Sequence, residues 1–144
     1  MKASLIFLGA DHAGFDLKEK VKTMLPNNVV IEDVSPVFMD GDDYPDVAKK
    51  VAQKVAKHSG SRGILVCGSG VGVSIAANRV KNVRAFDAHS EEETKMAREH
   101  NDVNVMSLSG WKVKPAVAKK LIETFLNTNA SKEARHKRRV VKLG

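Results

Sequence analysis

Apolar runs and helical patterns alternate at short spacing along this chain. Leu5 to Gly9 reads as a buried strand, after which Phe15, Leu17, Val21, Met24 and Leu25 recur at near-helical spacing until Pro26 stops them. Val29 to Val34 is a second strand, and Ser35 to Pro45 is a loop holding Gly41 and three acids. Val47, Val51 and Val55, with alanines between them, predict a helix ending near Gly60, followed by a strand at Gly63 to Val66. A short helix spans Ser74 to Val80, a fourth strand Val83 to Phe86, and Ser90 caps an acidic helix running to about Glu99. Val103 to Leu108 is the fifth strand, and Lys114 to Asn127 is the last main helix, with Pro115 in its first turn. Strands alternating with helices predict an α/β fold, a Rossmann-like three-layer sandwich around a five-stranded parallel sheet. Residues 1–144 read as one domain, of which about 130–144 form a basic C-terminal tail.

In a parallel sheet all strands end on one side, so the residues that follow each strand share one edge. That edge collects Asp11 and His12, the segment Cys67 to Ser74, and Asp87 with His89. Within Cys67-Gly68-Ser69-Gly70-Val71-Gly72-Val73-Ser74, three glycines at alternating positions strip side chains from the backbone at a helix start. Consecutive amides can then point at an anion near the positive end of that helix, the arrangement that binds phosphate or an oxyanion. Cys67 places a nucleophile or base beside it. His100-Asn101-Asp102 instead precedes the fifth strand, so topology puts it at the opposite edge, from where a neighbouring subunit can bring it to a site.

Composition narrows the setting. No stretch approaches the roughly 20 apolar residues of a membrane span, and the start Met1 to Leu5 lacks the apolar core of a signal peptide, so a cytoplasmic protein without membrane attachment is expected. The single cysteine forms no internal disulfide, which fits a reducing compartment. No Cys/His cluster has zinc-ligand spacing, and neither metal nor cofactor is expected. The net charge of +7 concentrates in the tail, where Lys132, Arg135, Lys137, Arg138, Arg139 and Lys142 face only Glu133. The tail has no aromatic residue to stack on bases, so a nucleic-acid partner is not expected. Arg135 and Arg139, four apart, would share one helix face and can clamp a phosphate.

Five separated motifs occur in a recognisable order: Asp11-His12-Ala13-Gly14, Asp43-Tyr44-Pro45, the glycine segment extended to Asn78, Arg98-Glu99-His100-Asn101-Asp102-Val103-Asn104-Val105, and Arg135-His136-Lys137-Arg138-Arg139-Val140. Together they resemble the ribose-5-phosphate isomerase B family, whose broader membership includes subunits of galactose-6-phosphate isomerase. The resemblance covers nearly the whole chain. It implies a homodimer with active sites shared between subunits, the tail reaching the partner, and leaves open whether dimers pair into tetramers. It also implies metal-free interconversion of ribose 5-phosphate and ribulose 5-phosphate through a cis-enediolate, a step of the pentose phosphate pathway. Carried over by position, Cys67 would move the carbon-bound proton and His100 would open the sugar ring. Gly68, Gly70, Val71 and Gly72 amides with the Ser69 hydroxyl would hold the enediolate oxygens. Asp11 would hold sugar hydroxyls, Tyr44 and Asn101 would line the site, and His12, Arg135 and Arg139 would hold the phosphate.

Two positions depart from the pattern. Trp111 stands where members that isomerise ribose 5-phosphate commonly have an arginine, and Asp87 occupies a place usually apolar or neutral. Asp87 would either repel a phosphorylated sugar or pair with a nearby base. These departures keep a second reading open, an isomerase of another phosphosugar of the allose 6-phosphate or galactose 6-phosphate type. A third is a non-catalytic phosphate or nucleic-acid binding module that uses the tail. His58, His89 and His136 read as surface residues.

Overall fold

The computed structural model describes residues 4–144; Met1, Lys2 and Ala3, on which the leader expectation partly rests, lie outside the described residues. Eleven elements follow in order: β1 (Leu5–Ala10), α1 (Phe15–Met24), β2 (Val30–Asp33), α2 (Tyr44–Lys57), β3 (Arg62–Cys67), α3 (Val71–Asn78), β4 (Ala85–Asp87), α4 (Glu91–Asn101), β5 (Val105–Ser109), α5 (Pro115–Asn127) and α6 (Ala134–Leu143). The five strands form one parallel sheet in the order β2-β1-β3-β5-β4.

Alternation along the strands builds two cores. Ile6, Leu8 and Ala10 of β1 and Ile64 and Val66 of β3 face α1 and α5, where Leu17, Val21, Leu121 and Phe125 cover them. Phe7, Leu65 and Cys67 point the other way, into a core closed by Val51 and Val55 of α2 and by Val73 and Ala77 of α3. Burial on both faces explains why β1 and β3 read as unbroken apolar runs. Among the described residues no helix is long and apolar enough to cross a membrane.

The chain leaves β1 toward β2, then returns across the sheet to β3 on the other side of β1. That reversal opens a crevice between the carboxyl ends of β1 and β3, the place where open α/β sheets take ligands.

Element limits differ from the apolar pattern where polar side chains intervene. The fourth strand starts at Ala85 rather than Val83, because the Val83 N–H closes a turn on the Val80 carbonyl and the Arg84 N–H donates to Asn104 Oδ1 at 2.8 Å. The edge of β4 is then blunted by Asn78, whose amide exchanges two hydrogen bonds with the Ala85 backbone at 2.7 and 2.9 Å. The fifth strand starts at Val105, because Asp102 at φ 45° ends α4 and the Val103 N–H still bonds the Ala97 carbonyl. Helix α2 begins at Tyr44, inside the expected loop, since Pro45 suits a first turn even where the apolar period has not begun. Helix α3 begins at Val71, directly after the glycine turn.

Candidate active site

Cys67 closes β3 and is 4% exposed. Its Sγ accepts the Gly70 N–H at 3.1 Å, a hydrogen bond that a sulfur anion accepts more strongly than a thiol. The turn that makes this possible needs glycine at position 70, where φ is +82° and a Cβ would strike the Asp87 carboxylate. Ser69 is exposed at the crest, and its Oγ accepts the Val71 N–H at 3.2 Å. The carbonyls of the turn face β5: Ser109 Oγ donates to the Gly68 carbonyl at 2.7 Å and Ser107 Oγ to that of Gly70 at 2.6 Å. The Trp111 N–H adds a bond to the Gly68 carbonyl at 3.1 Å. These bonds tie the turn to β5 at the amino end of α3, an end where backbone N–H groups carry partial positive charge.

Two aromatic rings flank the turn. The Trp111 indole lies over Gly68, where any Cβ would collide with it, yet the residue is 74% exposed. The Tyr44 ring lies against Gly72, 2.5 Å from where a Cβ would sit. A side chain at either glycine would displace the ring beside it.

Across the crevice Asp11 follows β1, 6% exposed, with Oδ1 accepting the Gly14 N–H at 3.0 Å. Burial raises its pKa above the ordinary aspartate value, against the lowering effect of the Gly14 amide. His12 stands exposed beside it, and both its backbone N–H and its Nδ1 reach Asp42 Oδ1, at 2.7 and 3.0 Å. The Asp42 hydrogen bond raises the His12 pKa. Asp42 lay in the loop read from sequence only as acidic; its pairing with His12 is long-range and left no local signal, as is true of Ser107 and Ser109. Ligand atoms of Asp11, His12 and Asp42 lie within 4.8 Å of one another, close enough to share a cation. Asp42 Oδ1 already holds His12 twice, however, and Asp11 Oδ1 holds Gly14, which makes the cluster an orienting ion pair.

Asp87 resolves toward pairing. Its Oδ2 bonds His89 Nε2 at 3.0 Å and its Oδ1 accepts from Ser107 Oγ at 3.3 Å.

The remaining expected site residues lie at the other edge of the sheet. His100 and Asn101 end α4, both exposed. Arg84 Nε donates to the Asp102 carbonyl at 2.9 Å and the Gly63 N–H to the Asn104 carbonyl at 2.8 Å, which fixes this segment at the amino ends of β3 and β4. The six residues of β3, at about 3.3 Å each, put roughly 20 Å between the two edges. Helix α6 packs beside α4 in the same chain, so exposed Arg135 and Arg139 belong to the His100 edge, and Arg135 Nε bonds Glu133 Oε2 at 2.7 Å. The phosphate group expected of His12, Arg135 and Arg139 is thus divided between the two edges. His136 is not a surface residue: it is 8% exposed, because its ring stacks on His100 with centroids 4.4 Å apart.

A model of the family described as Ribose/Galactose Isomerase matches residues 6–143. The ribose-5-phosphate isomerase B of Escherichia coli strain K12 is 36% identical over 136 residues, covering 94% of this chain and 91% of that protein. The crystal structure of ribose-5-phosphate isomerase B from Mycoplasma genitalium, with bound ribulose-5-phosphate, superposes with a TM-score of 0.87 at 41% identity, covering 96% of this chain and 93% of that one. That of the Anaplasma phagocytophilum enzyme gives 0.93 at 38% identity, covering 100% and 99%. The full-length match in sequence and fold places this chain in the ribose/galactose isomerase family.

Proposed function

We propose that this protein interconverts ribose 5-phosphate and ribulose 5-phosphate at a site completed by two copies of the chain, with Cys67 as the carbon base. The observation that carries the reading is the Cys67 turn: a buried sulfur at the end of a central strand, held by the Gly70 amide, opposite Asp11 and at the amino end of α3.

The chemistry follows from those groups. His100 takes the proton of the anomeric hydroxyl and returns one to the ring oxygen as the bond from C1 to that oxygen breaks, leaving the open aldehyde. Asp11 holds sugar hydroxyls and sets the chain across the crevice. The Cys67 thiolate then removes the proton on C2; the electron pair of that bond becomes the C1–C2 double bond and the carbonyl electrons move onto O1. The turn amides of Gly68 to Gly72 and the Ser69 hydroxyl hold the enediolate oxygens, where charge develops. Transfer of the O2 proton to O1 and return of the Cys67 proton to C1 complete the ketose. His12 faces the phosphate from one edge, and Arg135 and Arg139 of the second copy face it from the other, with Tyr44 and Asn101 lining the space between.

One observation favours a second substrate: Trp111 brings an exposed indole, and no guanidinium, over Gly68. Turnover of ribose 5-phosphate with a chelator present, compared with allose 6-phosphate and galactose 6-phosphate, tests both readings. Wild type turns over ribose 5-phosphate fastest and without metal, and Cys67→Ala lowers kcat by about a thousandfold or more while the sugar phosphate still binds. Near wild-type turnover in Cys67→Ala removes Cys67 as the base. A hexose phosphate turned over faster by orders of magnitude moves the substrate.

A further inference from the structure

His136 packs directly on His100, and the reaction above leaves it unused. Its ring lies parallel to that of His100, with an interplanar angle of 3° and centroids 4.4 Å apart. The contact is built from both sides. Arg98 Nε donates to the Thr128 carbonyl at 3.0 Å and the Ser131 N–H to the Glu99 carbonyl at 2.9 Å, which pins the segment after α5 along the end of α4. The His136 N–H then closes the first turn of α6 on the Glu133 carbonyl. The two rings therefore meet across two elements whose backbones are tied together.

Their surroundings differ. His136 is buried, and burial, followed by the nearness of His100 and Arg135, lowers its pKa. The charges facing the pair are Glu133, whose Oε2 lies 3.9 Å from His136 Nε2, Arg135 and Arg139 on α6, and Glu99 on α4. His100 is exposed, with one ring face covered by imidazole, and lines a cleft of about 400 Å³. The buried ring stacked on the exposed one holds the plane of the outer ring.

We propose that His136 is a positioning residue for ring opening, its stacked imidazole holding the plane of His100 so that the His100 nitrogens meet the sugar ring in one orientation. The proposal rests on the assignment of ring opening to His100. A misplacement of about 1 Å in a reacting group is enough to cost large factors in rate, so loss of the stack is expected to reach kcat and to spare binding.

The two directions of the reaction separate this role from a general structural one. Ribose 5-phosphate enters as a closed ring. Ribulose 5-phosphate has its terminal hydroxyl esterified and stays open, so exchange of its C1 hydrogen into deuterated water reports Cys67 chemistry with no ring to open. The test compares His136→Ala, His136→Phe and His100→Asn in both assays. His136→Ala is expected to lower forward kcat about tenfold with KM within about twofold, and to leave the exchange rate within about twofold of wild type. His136→Phe, which keeps a flat ring on His100, restores forward turnover. Forward turnover and exchange falling together in His136→Ala, or forward turnover unchanged there while His100→Asn is impaired, overturns the positioning role. His100→Asn with undiminished forward turnover overturns the His100 assignment beneath it.

Discussion

The charge on His12 is set by one carboxylate that follows it by 30 residues. Asp42 Oδ1 takes both the backbone N–H and Nδ1 of His12, and this hydrogen bond, more than the nearby Asp11, raises the His12 pKa. A raised pKa keeps the imidazolium charged further up the pH scale, so its attraction for a phosphate is complete at low pH and is lost only as pH rises through that raised value. In Asp42→Asn the support is gone and the loss starts at lower pH. Measured as KM for ribose 5-phosphate against pH, Asp42→Asn should show its KM rise displaced toward acid, with KM near neutrality about three- to tenfold above wild type. Superimposable profiles would remove His12 from the phosphate site. The pair is exposed, and its contribution to fold stability is small for the same reason that its contribution to binding depends on the ligand being present.

A glycine turn is only as useful as the element that fixes it, and here that element is β5. Ser107 and Ser109 lie on one face of the strand and bind the carbonyls of Gly70 and Gly68, so the peptide units of the turn are held against the strand. Replacing Ser109 by alanine leaves the buried Gly68 carbonyl with only the longer Trp111 N–H, at a cost of about 1–3 kcal/mol. Ser109→Ala is expected to lower the melting temperature by about 2–10 °C and kcat by about tenfold, read by thermal unfolding and steady-state turnover; a variant with lowered stability and unchanged kcat would show that the turn keeps its shape without the strand. At this scale the sequence was informative in a characteristic way. The five strands and the helices up to α5 were legible from apolar period and caps, and Cys67 and Asp11 were found because each lies at the end of a strand; α6 was legible only from the spacing of Arg135 and Arg139, and Tyr44 only from the Asp43-Tyr44-Pro45 motif. What local pattern could not carry were contacts made across the sheet. Asn104 and Asp102 trim β4 and β5, Ser107 and Ser109 look like ordinary strand serines, and His136 looks like one polar position in a basic helix until α6 is laid on α4.

Taken as a whole molecule, the chain carries the two groups of proposed site residues on opposite edges of its sheet. Asp11, His12 and Cys67 follow strands, whereas His100, Arg135 and Arg139 sit where α4 ends and α6 begins, a strand's length away. One chain does not bring both groups to one sugar; in the proposed dimer two chains related by a twofold axis would set each edge of one against the opposite edge of the other, giving two complete sites. This arrangement makes a quantitative demand on mixtures of inactive variants. Cys67→Ala is defective in one group and His100→Asn in the other. In a mixed dimer one site combines both defects and is dead, while the second combines the intact Cys67 of one chain with the intact His100 of the other. If the two variants are unfolded and refolded together in equal amounts, about half of the dimers are mixed and each carries one good site, so about one quarter of wild-type activity returns. Each variant refolded alone should stay inactive. If His100 instead served Cys67 of its own chain, every site in the mixture would carry one defect and no activity would return at any ratio, because refolding would only redistribute chains that are each already broken.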